Sequence, residues 1–307
     1  MSAMPRVPIQ TKHVKVVGSK WQLAEGLLYL LPSILLLAVF TFYPMIRALY
    51  MSLFNTDSQG NPLTFSGFAN YTALFGSERF WNSMKVTGYF VLLTVPTSVI
   101  LALFLALLAN EKLKGIGFFR TIFSSTMGMS VGASAIIWMF MYNPSMGLFN
   151  RLLNLFGLED VQWLLEPNIA IYAVAIVTIW MHTGFSFLIL LGGLQNIDDK
   201  LYESARIAGV SYWYSLRKIT LPMLSPTLFF VSTVQLINAF QTFGQIDILT
   251  AGGPLESTNV IVYSLYKDAF INYKFGPASA QAVILFFLVL IVTVIQFRIG
   301  EKKVHYQ

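Results

Sequence analysis

The side chains best placed to meet a solute are uncharged. In the stretch QLINAFQTFGQ, Gln235, Asn238, Thr242 and Gln245 follow at steps of three, four and three, with Gln241 beside them and Phe240 and Phe243 flanking. On a helix those steps share one face. Amides and hydroxyls exchange hydrogen bonds with hydroxyl groups, and aromatic faces cover C–H surfaces, so this face suits a hydroxyl-rich solute. The alternative is that the same groups hydrogen-bond one helix to another. A second set, Thr178, His182, Phe185 and Ser186, is spaced four, three and one. A lone histidine such as His182 is either a packed, hydrogen-bonded residue or part of such a path. Covalent chemistry is not expected. The chain has no cysteine, its three histidines (His13, His182, His305) lack metal-ligand spacing, and no Gly-rich phosphate loop ending in Lys-Ser or Lys-Thr occurs.

The elements that must carry these residues are membrane spans. Of 307 residues, 56% are hydrophobic and 11% charged, against about 25% charged in soluble domains. Apolar segments occur at about 25–49, 86–109, 119–142, 169–192, 222–246 and 278–299, each long enough to cross a hydrocarbon core as a helix. Prolines fall at 32, 44, 96, 222 and 226. Six spans put both ends on one side. With that side inside, fourteen lysines and arginines lie in inner segments and six in outer ones. This bias predicts both termini in the cytoplasm, with a tail over 1–24, a transmembrane region over 25–300 and a second tail over 301–307. Met127, Met129 and Trp138 in the third span read as packing residues. In the outer segment SMGLFNRLLNLFGL, Leu148, Leu152, Leu155 and Phe156 share a helical face, which predicts a short interfacial helix.

Between the fourth and fifth spans, on the predicted cytoplasmic side, lies ESARIAGVSYWYSLRKITLP (203–222). Leu201, Ala205, Ala208 and Tyr212 fall near one helical face, Gly209 interrupts the helix, and a second amphipathic piece follows through Trp213, Leu216 and Ile219. The small residues Ser204, Ala205, Ala208 and Gly209 allow close approach of another surface. An orienting loop with no further role is the simpler alternative.

The spacing Glu203-Ser204-Ala205, three residues, Gly209, nine residues, Ile219-x-Leu221-Pro222 resembles the EAA loop of binding-protein-dependent ABC importer permeases, with Ser204 in place of a second alanine. The segments FTFYPMIRALYMSLFN, FANYTALF, WMFMYNPSMGLFN, TAGGPLEST and VIQFRIGEKKVHYQ are similar to the carbohydrate-uptake, maltose- and glycerol-phosphate-like branch of that family, over roughly 25–307. The resemblance implies an all-α, six-span type I importer permease in a bacterial or archaeal plasma membrane. It implies a second permease subunit, two cytoplasmic ATP-binding subunits that carry ATP and Mg, and an extracytoplasmic solute-binding protein. The segment about 199–222 would dock on the ATPase, with Glu203 facing a basic residue and Ala205 and Gly209 permitting a close fit. Gln235, Asn238 and Thr242, counted back from Gly252-Gly253-Pro254, and His182 and Phe185, counted back from Glu203, fall on positions that line the solute site in such relatives. No cofactor is expected on this chain itself.

The expected solute is a sugar, an oligosaccharide or a related polyol. The alternative is glycerol 3-phosphate or a glycerophosphodiester. A phosphate favours fixed positive charge, and no lysine or arginine lies deep in the fourth or fifth span. A stand-alone secondary transporter is a more distant reading, because it would normally carry intramembrane carboxylates and spans two to five have none in their interiors.

Overall fold

The computed structural model describes residues 20–111 and 113–300, with side-chain surroundings from residue 26. The expected tails, 1–24 and 301–307, lie outside the described residues except for the backbone of 20–24. Residues up to Ala48 form one unit and those from Leu49 on another. In the first, α1 (Lys20–Leu37) passes through a widened π turn at Ala38–Phe42 into α2 (Tyr43–Met51). Pro44 offers no N–H to the carbonyl four residues back, and the widening sits at that point. The stretch Gly26–Met51 is apolar enough to cross a membrane.

In the second unit a hairpin of β1 (Phe54–Thr56) and β2 (Pro62–Phe65) leads to α3 (Ala69–Phe75) and α4 (Glu78–Ala109). Ser77 caps α4 by accepting from the Phe80 N–H at 3.4 Å. The third span differs from the expected continuous helix over 119–142. It consists of α5 (Ile116–Ser124), a 3₁₀ turn (Ser125–Gly128) and α6 (Val131–Met141), with a 107° bend between the two parts. The cause is local. Met129 is extended, Ser130 caps α6 by accepting from Ala133 N–H at 3.2 Å, and Thr126 Oγ1 accepts from Gly184 N–H at 3.0 Å. Serine and threonine here offer the backbone partners other than a helix.

Next come α7 (Leu148–Leu155) and the long α8 (Pro167–Gln195), whose proline at N1 is preset for a helix start. The expected interfacial face of α7 is open: Leu148, Leu152, Leu155 and Phe156 are all exposed. After α8 follow α9 (Asp199–Ile207), α10 (Tyr212–Ser215), a π turn (Leu216–Thr220) and α11 (Leu221–Phe240). The continuous helix that carries the fifth span therefore runs from Tyr212 to Phe240, starting before the expected 222 and stopping short of the expected 246. Then come α12 (Gly244–Leu249), α13 (Ile261–Tyr266), a π turn (Lys267–Ile271) and α14 (Phe275–Gly300). Among the described residues, five helices are long and apolar enough to span, or six if the bent pair counts as one.

The core gathers on α8. Its most apolar stretch is 61% buried, against 22–28% for α4, the fifth span and α14. Toward one end Trp138, Tyr142, Val174 and Ile246 pack together; toward the other Ala102, Ala106, Phe187, Leu190, Leu224 and Val231 do so. The small side chains of α4 let it approach α8 closely, which is how helices gain contact where solvent exclusion contributes little.

Candidate coupling segment and solute path

The 199–222 segment is a hairpin of helical turns. Asp198 caps α9 by accepting from Lys200 N–H at 2.9 Å. Gly209, at φ +70°, closes it in the left-handed region, and Val210 N–H reaches back to the Ala205 carbonyl at 3.2 Å. Ser211 then accepts from Tyr214 N–H at 3.4 Å and restarts the chain toward the fifth span. Glu203, Ser204 and Gly209 are exposed, and Glu203 has no ion-pair partner among the described residues. Ala205, next to Ser204, is buried within the chain. Ile219, Leu221 and Pro222 are half-buried at the base of the fifth span. Ile207 is 89% exposed, and Tyr212, Trp213 and Tyr214 are also open, so the hairpin presents an apolar rim beside Glu203.

The two polar sets divide by environment. Gln235 is buried, and its amide donates to Ser186 Oγ at 2.5 Å and to the His182 carbonyl at 3.4 Å, joining α11 to α8. Thr178 Oγ1 donates to the Val174 carbonyl at 2.9 Å, and Thr242 Oγ1 to the Asn238 carbonyl at 3.1 Å. Because α11 ends at Phe240, Thr242 and Gln245 are not on one continuous helical face with Gln235 and Asn238; Gln245 sits on α12, against Met181 Sδ at 3.6 Å. The break lies beside a close packing point, where a Cβ on Gly244 would come 2.7 Å from a Val131 methyl. The residues left partly open are His182, Phe185 and Asn238, with Gln241 exposed. The Asn238 side chain has no hydrogen bond among the described residues.

Residues 66–306 match the family described as the binding-protein-dependent transport system inner membrane component. The chain belongs to this family. The permease is 39% identical over 278 residues to the sn-glycerol-3-phosphate transport system permease protein UgpA of Agrobacterium fabrum, covering 90% of this chain and 94% of the relative. It is 33% identical over 295 residues to the protein of the same name from Salmonella typhimurium, covering 95% and 98%. Its fold matches a chain of a bacterial ABC transporter involved in import of the acidic polysaccharide alginate, with TM-score 0.80 and 24% identity over 92% of this permease and 96% of that chain. The all-α type I importer architecture and the multi-pass inner-membrane character follow from these matches and from the spans.

Two features of the permease were not anticipated from sequence. The Tyr202 hydroxyl pairs with Thr220 Oγ1 at 3.0 Å, linking α9 to the base of the fifth span. Arg79, before the second expected span, bridges Glu256 at 2.9 Å and Asp268 at 3.4 Å, and Asp268 also accepts from the buried Gln281 at 2.5 Å. Partners 177 and 189 residues away leave no local signal.

Proposed function

We propose that this permease forms half of the membrane path of an ATP-driven importer for a sugar, oligosaccharide or related polyol, and that the 199–222 hairpin couples it to a separate ATPase. The carrying observation is the exposed Glu203-Ser204 pair followed by a left-handed Gly209, in a hairpin hydrogen-bonded directly to the fifth span. Both termini and this hairpin are assigned to the cytoplasm. A second permease completes the path, two ATP-binding subunits hold ATP and Mg, and an external binding protein delivers solute. Nucleotide-driven closure of the ATPase acts through contacts that differ between outward- and inward-facing states, since only such contacts shift their populations.

A second reading, import of glycerol 3-phosphate, is supported by the permeases of that name at 33–39% identity. The uncharged lining of α8 and α11 supports a neutral, hydroxylated solute. Reconstitution with the second permease, ATPase and binding protein tests both. ATP-dependent uptake of radiolabelled maltose or glycerol 3-phosphate is the expected result and identifies the class. Uptake that proceeds without the ATPase, driven by an ion gradient, overturns the reading.

A further inference from the structure

Two partly open stripes face away from the core. On α8 and its cap, His182, Phe185, Ile189, Gly192 and Asn196 follow at steps of three, four, three and four, and none is buried. On α11 and its cap, Thr227, Phe230, Val234, Asn238 and Gln241 follow at three, four, four and three, and none is buried. The opposite face of α8, with Phe187, Leu190 and Leu194, is closed, and on α11 the adjoining face, with Leu224, Val231 and Gln235, is closed. Each stripe therefore continues the candidate solute positions toward the coupling hairpin.

At that end the stripes border a cleft of about 490 Å³ between the two helices, with Gly192, Asn196, Thr227 and Phe230 in its wall. No charged side chain lines it. The Asn196 and Thr227 side chains have no hydrogen-bond partner among the described residues. A Cβ on Gly192 would meet nothing within 4 Å, so the glycine leaves space in the cleft and is not required by packing. Its neighbour Gly193 is the reverse, since a Cβ there would stand 2.7 Å from Thr227 Oγ1. The helix rise separates Thr227 from Asn238 by roughly 16 Å, more than a small polyol can bridge.

We propose that this cleft is a second solute station on the coupling-hairpin side, distinct from the Asn238 level, and that it takes the hydroxyl groups of a polyol or sugar through Asn196 and Thr227 with Phe230 against the carbon skeleton. The last carbonyls of α8 end there, which favours hydroxyl donors over an anionic group. The inference rests on the importer reading, but its first test does not depend on uptake. In the assembled transporter in proteoliposomes, Gly192→Cys is treated with a charged, water-requiring methanethiosulfonate reagent, with Leu92→Cys on the outer face of α4 as control. The expected result is rapid modification of Cys at 192 without nucleotide, slowing at least about tenfold in the ATP–vanadate state, with the control unreactive in both. Gly192→Trp fills the cleft and should lower uptake about tenfold with basal ATP hydrolysis kept. Asn196→Leu with Thr227→Val, which lose two solute hydrogen bonds, should also lower uptake about tenfold. Cys at 192 that resists modification in both states means that lipid or the second permease covers the cleft, and overturns the proposal. So does full uptake by Gly192→Trp. Failure of the importer reading would show separately, as absent uptake by the unsubstituted transporter.

Discussion

The Tyr202 hydroxyl lies 3.0 Å from Thr220 Oγ1, so a side-chain pair ties the helix proposed to meet the ATPase to the first turns of the fifth span. Thr220 is buried there, which shields the bond from competing water. If α9 docks on the ATPase as proposed, its displacement would reach α11 through this contact and through the short chain between them.

Tyr202→Phe should therefore loosen coupling while sparing the fold. A net loss of about 1 kcal/mol is expected from the missing bond. The measurement is solute transported per ATP hydrolysed, which should fall. Thr220→Val should act alike, and the double variant should be no worse than either single one, because both remove the same interaction. Additive losses would show that the two residues act independently.

Gly209 gives a sharper test. Its surroundings are open, so a side chain there meets no steric barrier within the chain, but φ +70° disfavours most residues. Gly209→Asn should keep the turn, because asparagine tolerates the left-handed region. Gly209→Trp should strain the turn and obstruct a partner surface. Co-purification of the ATPase and stimulated hydrolysis should survive the asparagine change and fail with tryptophan. Glu203→Lys, in an exposed position, should likewise weaken assembly with the ATPase, and normal stoichiometry with normal stimulated hydrolysis would remove Glu203 from the docking role.

Gln235 and Asn238 should separate in their effects. Gln235→Leu leaves the buried Ser186 hydroxyl without its partner, at a cost of about 1–3 kcal/mol, so the thermal midpoint of the solubilised complex should drop. Asn238→Leu breaks no side-chain bond among the described residues, and should lower uptake with the midpoint unchanged. Equal uptake by Asn238→Leu and the parent would make Asn238 a lipid- or partner-facing residue.

Orientation can be read by thiol labelling, because the chain contains no cysteine. Ser2→Cys and Tyr306→Cys should each resist an impermeant reagent applied to intact cells and react after permeabilisation. Reaction from outside would invert the topology and move the 199–222 hairpin out of reach of a cytoplasmic ATPase.

The spans and the 199–222 hairpin are legible because their signals are local: runs of apolar residues, and a glycine at fixed distance from Glu203. The third span misled because hydropathy does not register a break made by Thr126, Met129 and Ser130, whose effect is on hydrogen bonds and dihedral angles. The polar face of the fifth span misled for a related reason. Its periodicity in sequence runs on past Phe240, where α11 ends, so Thr242 and Gln245 belong to other local structure. Gln235 could not be assigned from spacing alone, since its partner, Ser186, lies 49 residues earlier. Ala205 was small as expected, but the direction it faces depends on how the hairpin folds over the span.

The tight seating of α8 has a mechanical consequence. Where Gly184 lies against the Thr126 turn and Gly193 against Thr227, there is no room even for a methyl group. Interlocked surfaces of this kind slide poorly, because any axial slip drives side chains into backbone. The α8 helix, the 3₁₀ turn and α11 must then turn together as one rigid lever, with bending left to the chain at its margins. A small tilt imposed at the hairpin end would swing the far end through a larger arc, so the gearing of the transport cycle would be set by the length of α8.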